Sequence, residues 1–336
     1  TEDGEGRGMF IVDAQTGSLI WRLTPDNGYK GKHSVAGAIA VMDSDIDGYT
    51  DRAYFADTGG SVWRVDMVGP STDWTHYEFA RLSDLTEADD RRFFYEPVVA
   101  RTFTRVVETT EVEVAESSET IVTRTTVPFD AVVLGSGTRP NPLDEQTQDK
   151  LFMLKDMRVV TAAVTAETTP SPILLDNLLA ITSTEPKTAE AIEQFEKDMT
   201  NKDGWYYPLA ATEKSLSPAT ILAGVAYFTS YTPPDSAVDA DLPACSLPEG
   251  GGLLYAFNLH YGTRVYNRLS FDVGKRIPDN PELFLGEDEN EKSQLLFLNV
   301  NEENGDTDGT IELLDKDGNK LGLKTSRTYI YMGENQ

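Results

Sequence analysis

Residues 43–51 run Asp43-Ser44-Asp45-Ile46-Asp47-Gly48-Tyr49-Thr50-Asp51, and their types and spacing suit the capture of a hard cation. Side-chain carboxylates fall at relative positions 1, 3, 5 and 9, with Gly48 at position 6, which matches the first nine positions of an EF-hand calcium loop. Carboxylates spaced by two point inward when the backbone coils around an ion. Gly48 permits the sharp turn, and the carbonyl of Tyr49 falls at position 7, where a backbone ligand is expected. Like charges this close repel unless a cation neutralises them. Asp43, Asp45, Asp47, Asp51 and the Tyr49 carbonyl are therefore the expected metal ligands. Calcium is favoured over magnesium, which keeps its waters and demands strict octahedral geometry. Position 12 is Tyr54, so the bidentate Glu that completes an EF-hand is absent. The rival reading is an acidic turn on an acidic protein. No nucleophile or base accompanies the loop in sequence, which points to a structural or regulatory ion.

The elements that must hold this loop read as strands rather than helices. Val35-Ala36-Gly37-Ala38-Ile39-Ala40-Val41-Met42 is small and apolar, as in a buried strand. After the loop come Ala53-Tyr54-Phe55-Ala56, an Asp57-Thr58-Gly59-Gly60 turn, and Ser61-Val62-Trp63-Arg64-Val65-Asp66. The last alternates apolar and polar residues, the period of a half-buried strand. The expected order is strand, calcium loop, strand, turn, strand.

The same texture recurs along the chain. Phe10-Ile11-Val12-Asp13-Ala14-Gln15-Thr16-Gly17-Ser18-Leu19-Ile20-Trp21 reads as strand, Thr-Gly turn, strand, and the grammar returns at residues 253–263 and more faintly at residues 151–156. Residues 129–137 and 224–231 look like inner strands ending in polar turns. Recurrence of such units is the signature of propeller blades. The fold class is all-β: a modified β-propeller with about four candidate blades, a short helix and a projecting hairpin. The whole of 1–336 is expected to be a single propeller domain lacking upstream blades. Residues 105–127 alternate Thr, Val and Glu as a long, two-sided polar hairpin. Residues 187–199 place Ile192, Phe195 and Met199 on one face of a short helix, expected to pack on the propeller. The acidic turns at 306–309 and 315–319 resemble hairpin turns more than metal loops.

Composition narrows the partners. Among 336 residues, 56 are acidic and 29 basic, a net charge of −27, which argues against nucleic acid or an anionic membrane as partner. No run of about 18 apolar residues exists, so no transmembrane segment is expected. A first residue of Thr1, without Met or signal peptide, reads as a processed or excised piece. Cys245 is the only cysteine and His33, His76 and His260 are scattered; neither a disulfide within the chain nor a His-based centre is expected. Gly135-Ser136-Gly137 reads as a strand-end turn rather than a nucleophile elbow. Trp21, Trp63, Trp74 and Trp205 read as blade-packing aromatics.

With these residues in place, the chain resembles the C-terminal β-propeller of the PilY-type type IV pilus tip-associated adhesins. The likeness is carried in order by Gly8-Met9-Phe10-Ile11-Val12-Asp13 with Thr16-Gly17, the 43–51 loop, Asp57-Thr58-Gly59-Gly60-Ser61-Val62-Trp63-Arg64 and Arg91-Arg92-Phe93-Phe94-Tyr95. Gly135-Ser136-Gly137, Gly204-Trp205-Tyr206 and Tyr227-Phe228-Thr229-Ser230-Tyr231-Thr232-Pro233 continue it. The resemblance implies a non-enzymatic, calcium-binding module at the pilus tip or outer cell surface, affecting pilus extension and retraction, adhesion and twitching motility. Minor pilins and other pilus-tip proteins, and host or abiotic surface ligands, are the implied partners. Two departures stand out: the apparent start after the family's first blades, and the Val106 to Thr126 hairpin, which looks inserted. No Arg-Gly-Asp occurs, so integrin binding does not follow.

Two rival functions use the same fold. A quinoprotein-type dehydrogenase also uses calcium, and Asp13, Thr16, Gly17 and Trp21 sit at the spacing of its blade motif, echoed by Asn258, Gly262 and Tyr266. That motif closes blades in non-enzymatic propellers too, so it speaks for fold rather than redox chemistry. The other rival is a structural propeller whose ion only stiffens one loop.

Overall fold

Apolar runs cut by Gly, Asp and Asn turns give short strands that pair mostly with their sequence neighbours, and this is how the chain builds its sheets. The computed structural model describes residues 3–84, 86, 88–114, 117–182, 186, 188–234, 250–287, 293–298, 310–312 and 316. Cys245 and the acidic turns at 306–309 and 315–319, Lys316 excepted, lie outside them.

Among the described residues, five sheets follow one another. The first pairs β1 (Met9–Val12) with β2 (Leu19–Leu23). The second contains β3 (Ala40–Met42), β4 (Arg52–Ala56), β5 (Ser61–Asp66) and β6 (Thr75–Arg81), all antiparallel neighbours. The third is built from β7 (Val98–Val114), β8 (Ser117–Gly135) and β9 (Lys150–Asp156). The chain then adds β10 (Ile173–Leu174) parallel to β6 of the second sheet, before returning as β11 (Leu179–Ala180) to the third. There β11 lies parallel to β12 (Gly204–Pro208), which follows helix α1 (Ala189–Thr200). β13 (Thr220–Leu222), β14 (Val225–Thr232), β15 (Gly251–Asn258) and β16 (Ser270–Gly274) make the fourth sheet. β17 (Leu283–Glu287), β18 (Ser293–Leu298) and β19 (Thr310–Glu312) make the fifth. The sequence suggested about four blades and missed this fifth sheet.

The first four sheets stack face to face, as in a propeller. Met9 and Leu23 of the first sheet pack with Phe55 and Trp63 of the second. The opposite face of the second, with Tyr54, Val62 and Phe79, meets Val132, Leu134 and Phe152 of the third. Phe129, Met153 and Trp205 on the far face of the third meet Phe228 and Phe257 of the fourth. A strand buried on both faces has no solvent side, which is why β4 and β9 are buried at every position.

Two strand expectations need correction. Residues 35–42 do not form one buried strand: only Ala40–Met42 pair, at the sheet edge, and Val41 is 62% exposed. The Gly37 backbone instead lies against that of Tyr95 and Glu96, where a Cβ would come within 2.6 Å. β5 is not half-buried either. Its polar residues Arg64 and Asp66 are fully buried, because their face meets the third sheet, where Arg64 forms ion pairs with Asp66 and Asp156.

The repeated turn grammar is a repeated structure. Asp13 N–H donates to Ser18 O and Gly17 N–H to Asp13 O; Asn258 N–H donates to Thr263 O and Gly262 N–H to Asn258 O. Asp13 and Asn258 each accept from the two backbone N–H groups two and three residues on. Gly17 and Gly262 sit at φ +70° and +64°, which favours glycine.

The helix begins at Thr188, whose hydroxyl accepts from Ala191 N–H at 3.2 Å. It packs on β7, where Thr200 Oγ1 accepts from Val107 N–H and Glu196 lies 3.7 Å from Arg105; Glu196 also lies 3.6 Å from Arg124 of β8. Met199 is buried, Phe195 packs against Tyr261, and Ile192 is 44% exposed. No helix among the described residues is long and apolar enough to cross a membrane.

Candidate metal centre

Residues 43–51 connect β3 to β4, and the loop is closed from both sides. Asp51 N–H donates to Met42 O at 3.1 Å, and Met67 N–H donates to Asp51 O at 2.8 Å. Asp43 organises the coil. Its Oδ1 accepts from Ile46 and Asp47 N–H at 2.7 and 3.2 Å, and its Oδ2 from Gly48 N–H at 2.8 Å. The Gly48 N–H, ahead of those of Ile46 and Asp47, holds the Asp43 carboxyl below the usual range despite the opposing desolvation. Gly48 has φ +93°, and nothing lies within 4 Å of a Cβ there, so backbone conformation alone calls for glycine.

Asp43, Asp45 and Asp51 each place a carboxylate oxygen within 4.8 Å of the others. Asp47 stands outside this trio; its Oδ1 accepts from Tyr49 N–H at 2.8 Å. The Tyr49 side chain is 76% exposed. Three ionised oxygens that close raise one another's energy, and a divalent ion removes that repulsion. An all-oxygen donor set suits a hard cation such as calcium, so the residues present fit one. Tyr54, at the place of the missing Glu, belongs to the buried face of β4, and its hydroxyl donates to Asp156 Oδ2 at 2.7 Å. A strand leaving the loop at once turns position 12 into the core.

Behind the loop lies an ionic joint that sequence reading missed. Arg52 pairs with Asp130 and lies 3.8 Å from Asp66; Arg64 pairs with Asp66 at 2.6 Å and with Asp156. Arg101 Nε and Nη2 grip both oxygens of Asp130 at 2.8 and 3.0 Å. All except Arg101 are at most 2% exposed. Burial pushes the Asp66 carboxyl up, against the pull of Arg64. The available signal was opposite charges at alternate strand positions, the pattern of a solvent face. Beside the loop, Asp45, Asp47, Asp51, Tyr49, Val68, Trp74 and Val160 line an open groove of about 590 Å³.

The histidines lie apart, in three separate settings. His33 approaches Asp3 at 3.6 Å, His76 sits with Tyr29 and Trp63, and His260 Nε2 is 2.8 Å from Thr102 Oγ1. Trp63 and Trp205 are buried in the stacked cores, Trp21 packs on Trp74 at 5.6 Å, and Trp74 also reaches the groove.

Comparison with solved structures places this architecture. The crystal structure of the Pseudomonas aeruginosa PilY1 C-terminal domain aligns with TM-score 0.54 over 91% of this chain and 66% of that one, at 13% sequence identity. The chain is similar in fold to the PilY1 C-terminal domain. In sequence it is 36% identical over 73 residues to a type IV pilus biogenesis factor PilY1 homolog of Xylella fastidiosa, covering 18% of this chain and 5% of that protein. The chain therefore matches only a small part of that relative's length. A quinohemoprotein alcohol dehydrogenase from Comamonas testosteroni aligns at TM-score 0.41 and 12% identity, over 95% of this chain and 44% of that one, which carries no argument for shared function. No family model matches the chain. The ordered resemblance to PilY-type propellers drawn from sequence is thus matched by a PilY1-like fold.

Proposed function

We propose that this chain is a non-enzymatic, calcium-binding propeller module of the type IV pilus system, acting at the pilus tip or outer cell surface. The observation that carries the calcium part is the convergence of Asp43, Asp45 and Asp51 within 4.8 Å in a loop tethered at both ends to strands. Asp47 and the Tyr49 carbonyl complete the proposed ligand set. The pilus part is supported by the PilY1-like fold and by the short match to a PilY1 homolog. In this reading 1–336 is one propeller domain that continues blades lying upstream, with 105–127 an inserted hairpin. Minor pilins and other tip proteins on one side, and host or abiotic surfaces on the other, are its partners. Calcium occupancy regulates pilus extension and retraction, adhesion and twitching.

Calcium titration by calorimetry on the wild type, Asp43→Ala and Asp51→Ala tests the site. Binding by the wild type and its loss in both variants is the expected result; a flat wild-type titration overturns the assignment. Complementing a pilus mutant with the same variants then separates regulation from stability. Variants that twitch and adhere as wild type, while failing to bind calcium, would sink the regulatory role.

A further inference from the structure

Asp51 is connected well beyond its loop. Its two carboxylate oxygens accept from Ser44 N–H at 3.0 Å and Ser44 Oγ at 2.6 Å. Ser44, only 6% exposed, places Oγ 2.7 Å from Thr161 Oγ1, which also accepts from Arg52 Nη2 at 2.8 Å. Chemistry fixes the direction of this relay. A guanidinium only donates and a carboxylate only accepts. Thr161 therefore accepts from Arg52 and donates to Ser44, and Ser44 donates to Asp51. Arg52 is itself paired with Asp130 of the third sheet, which Arg101 also grips. Arg101 returns by donating Nη1 to the Ser44 carbonyl and Nη2 to Val159 O. The circuit closes through the second sheet, the third sheet and the 157–161 segment.

We infer that Ser44, Thr161 and Arg101 are positioning residues of the cation loop, which orient the Asp51 carboxylate and couple cation binding to the joint between the second and third sheets. This rests on the calcium reading of residues 43–51. The two bonds from Ser44 hold Asp51 in one orientation while leaving lone pairs on both oxygens for an ion. Groups behind metal ligands act in this way, fixing geometry without touching the metal. The coupling is reciprocal: an ion that holds Asp51 in place stabilises the joint, and loosening the joint weakens the ion's grip by the same factor.

The test combines calcium calorimetry with hydrogen-exchange mass spectrometry of the full chain, with and without calcium, for the wild type, Ser44→Ala, Thr161→Val and Thr161→Ser. In the wild type, calcium should raise protection at 43–51 and also at 98–101, 129–130 and 157–161. Ser44→Ala and Thr161→Val should weaken calcium binding about tenfold or more and lose the distant protection, while Thr161→Ser, which keeps the hydroxyl, behaves as wild type. If Ser44→Ala does not fold, the near-isosteric Thr161→Val carries the test. Protection confined to 43–51, or wild-type affinity in Thr161→Val, overturns the coupling while leaving the calcium site standing. A wild type that binds no calcium overturns the site itself, and the coupling with it.

Discussion

Arg64 and Asp156 lie ninety-two positions apart in sequence and form an ion pair buried between the second and third sheets. Arg64 also holds Asp66 on its own strand, and its guanidinium stands 5.8 Å from the centre of the Tyr77 ring. Removing one partner of a buried pair leaves an uncompensated charge, which costs more than the pair is worth. Arg64→Met is therefore expected to lose about 3–5 kcal/mol. Adding Asp156→Asn to it should recover part of the loss. Urea unfolding checks both, through a shift in midpoint at constant slope.

Calcium should stabilise the fold in proportion to its occupancy. At a free concentration about 100 times Kd, linkage predicts roughly 2.7 kcal/mol of added stability. Thermal unfolding with calcium against chelator should give that increment in the wild type and none in Asp43→Ala. Equal melting temperatures in saturating calcium and in chelator would contradict the site.

Asp149 predicts a pH dependence of definite sign. It is 1% exposed; Oδ1 accepts from Ser136 Oγ at 2.6 Å, while Oδ2 has no hydrogen-bond partner among the described residues. Burial pushes its carboxyl up to about 6, outweighing Ser136, Lys214 and Arg91, which pull it down. The folded state holds this proton more tightly than the unfolded chain. Asp149 therefore contributes stability below pH 4 that is lost as pH rises through 6, about 3 kcal/mol in all. Comparing wild type with Asp149→Asn between pH 4 and 7 should reveal that slope in the difference.

Lys155 predicts the reverse trend in alkali. Its Nζ donates to the carbonyls of Met199 and Lys202 at 2.5 and 3.1 Å, tying the end of α1 to β9. Burial lowers its pKa to about 8, against the pull of Asp203. Between about 8 and 10.5 the unfolded chain carries the extra proton, so stability rises with pH over that window by roughly 3 kcal/mol. Lys155→Met should abolish the rise and speed amide exchange in the last turn of the helix.

Much of the fold is legible in sequence because its signals are local. The Asp13–Gly17 and Asn258–Gly262 turns, the Gly48 turn and the apolar runs of β4, β8 and β14 each depend on a few adjacent residues. What escapes is set by contacts between sheets. Arg64 and Asp66 read as a solvent face because period-2 alternation reports a change of face, not what the face meets. Residues 35–42 look buried by composition, yet pairing ends at an edge strand of three residues. At the candidate centre, the Asp spacing identifies Asp43, Asp45 and Asp51 correctly as neighbours. It cannot separate Asp47 from them, nor foresee Ser44 and Thr161, which bond directly to each other across 117 positions of sequence.

The excursion of β10 to the edge of the second sheet has a consequence for how the protein is made. A chain emerging from its N-terminal side cannot finish the second sheet until residue 174 is available, by which time β7, β8 and β9 have already appeared. The chain must then go back to the third sheet to add β11 and β12. Neither sheet closes before the other is nearly built, so the two mature as one unit. A nick anywhere in residues 157–172 would cut one of the covalent crossings between them, leaving those from β6 to β7 and from β10 to β11.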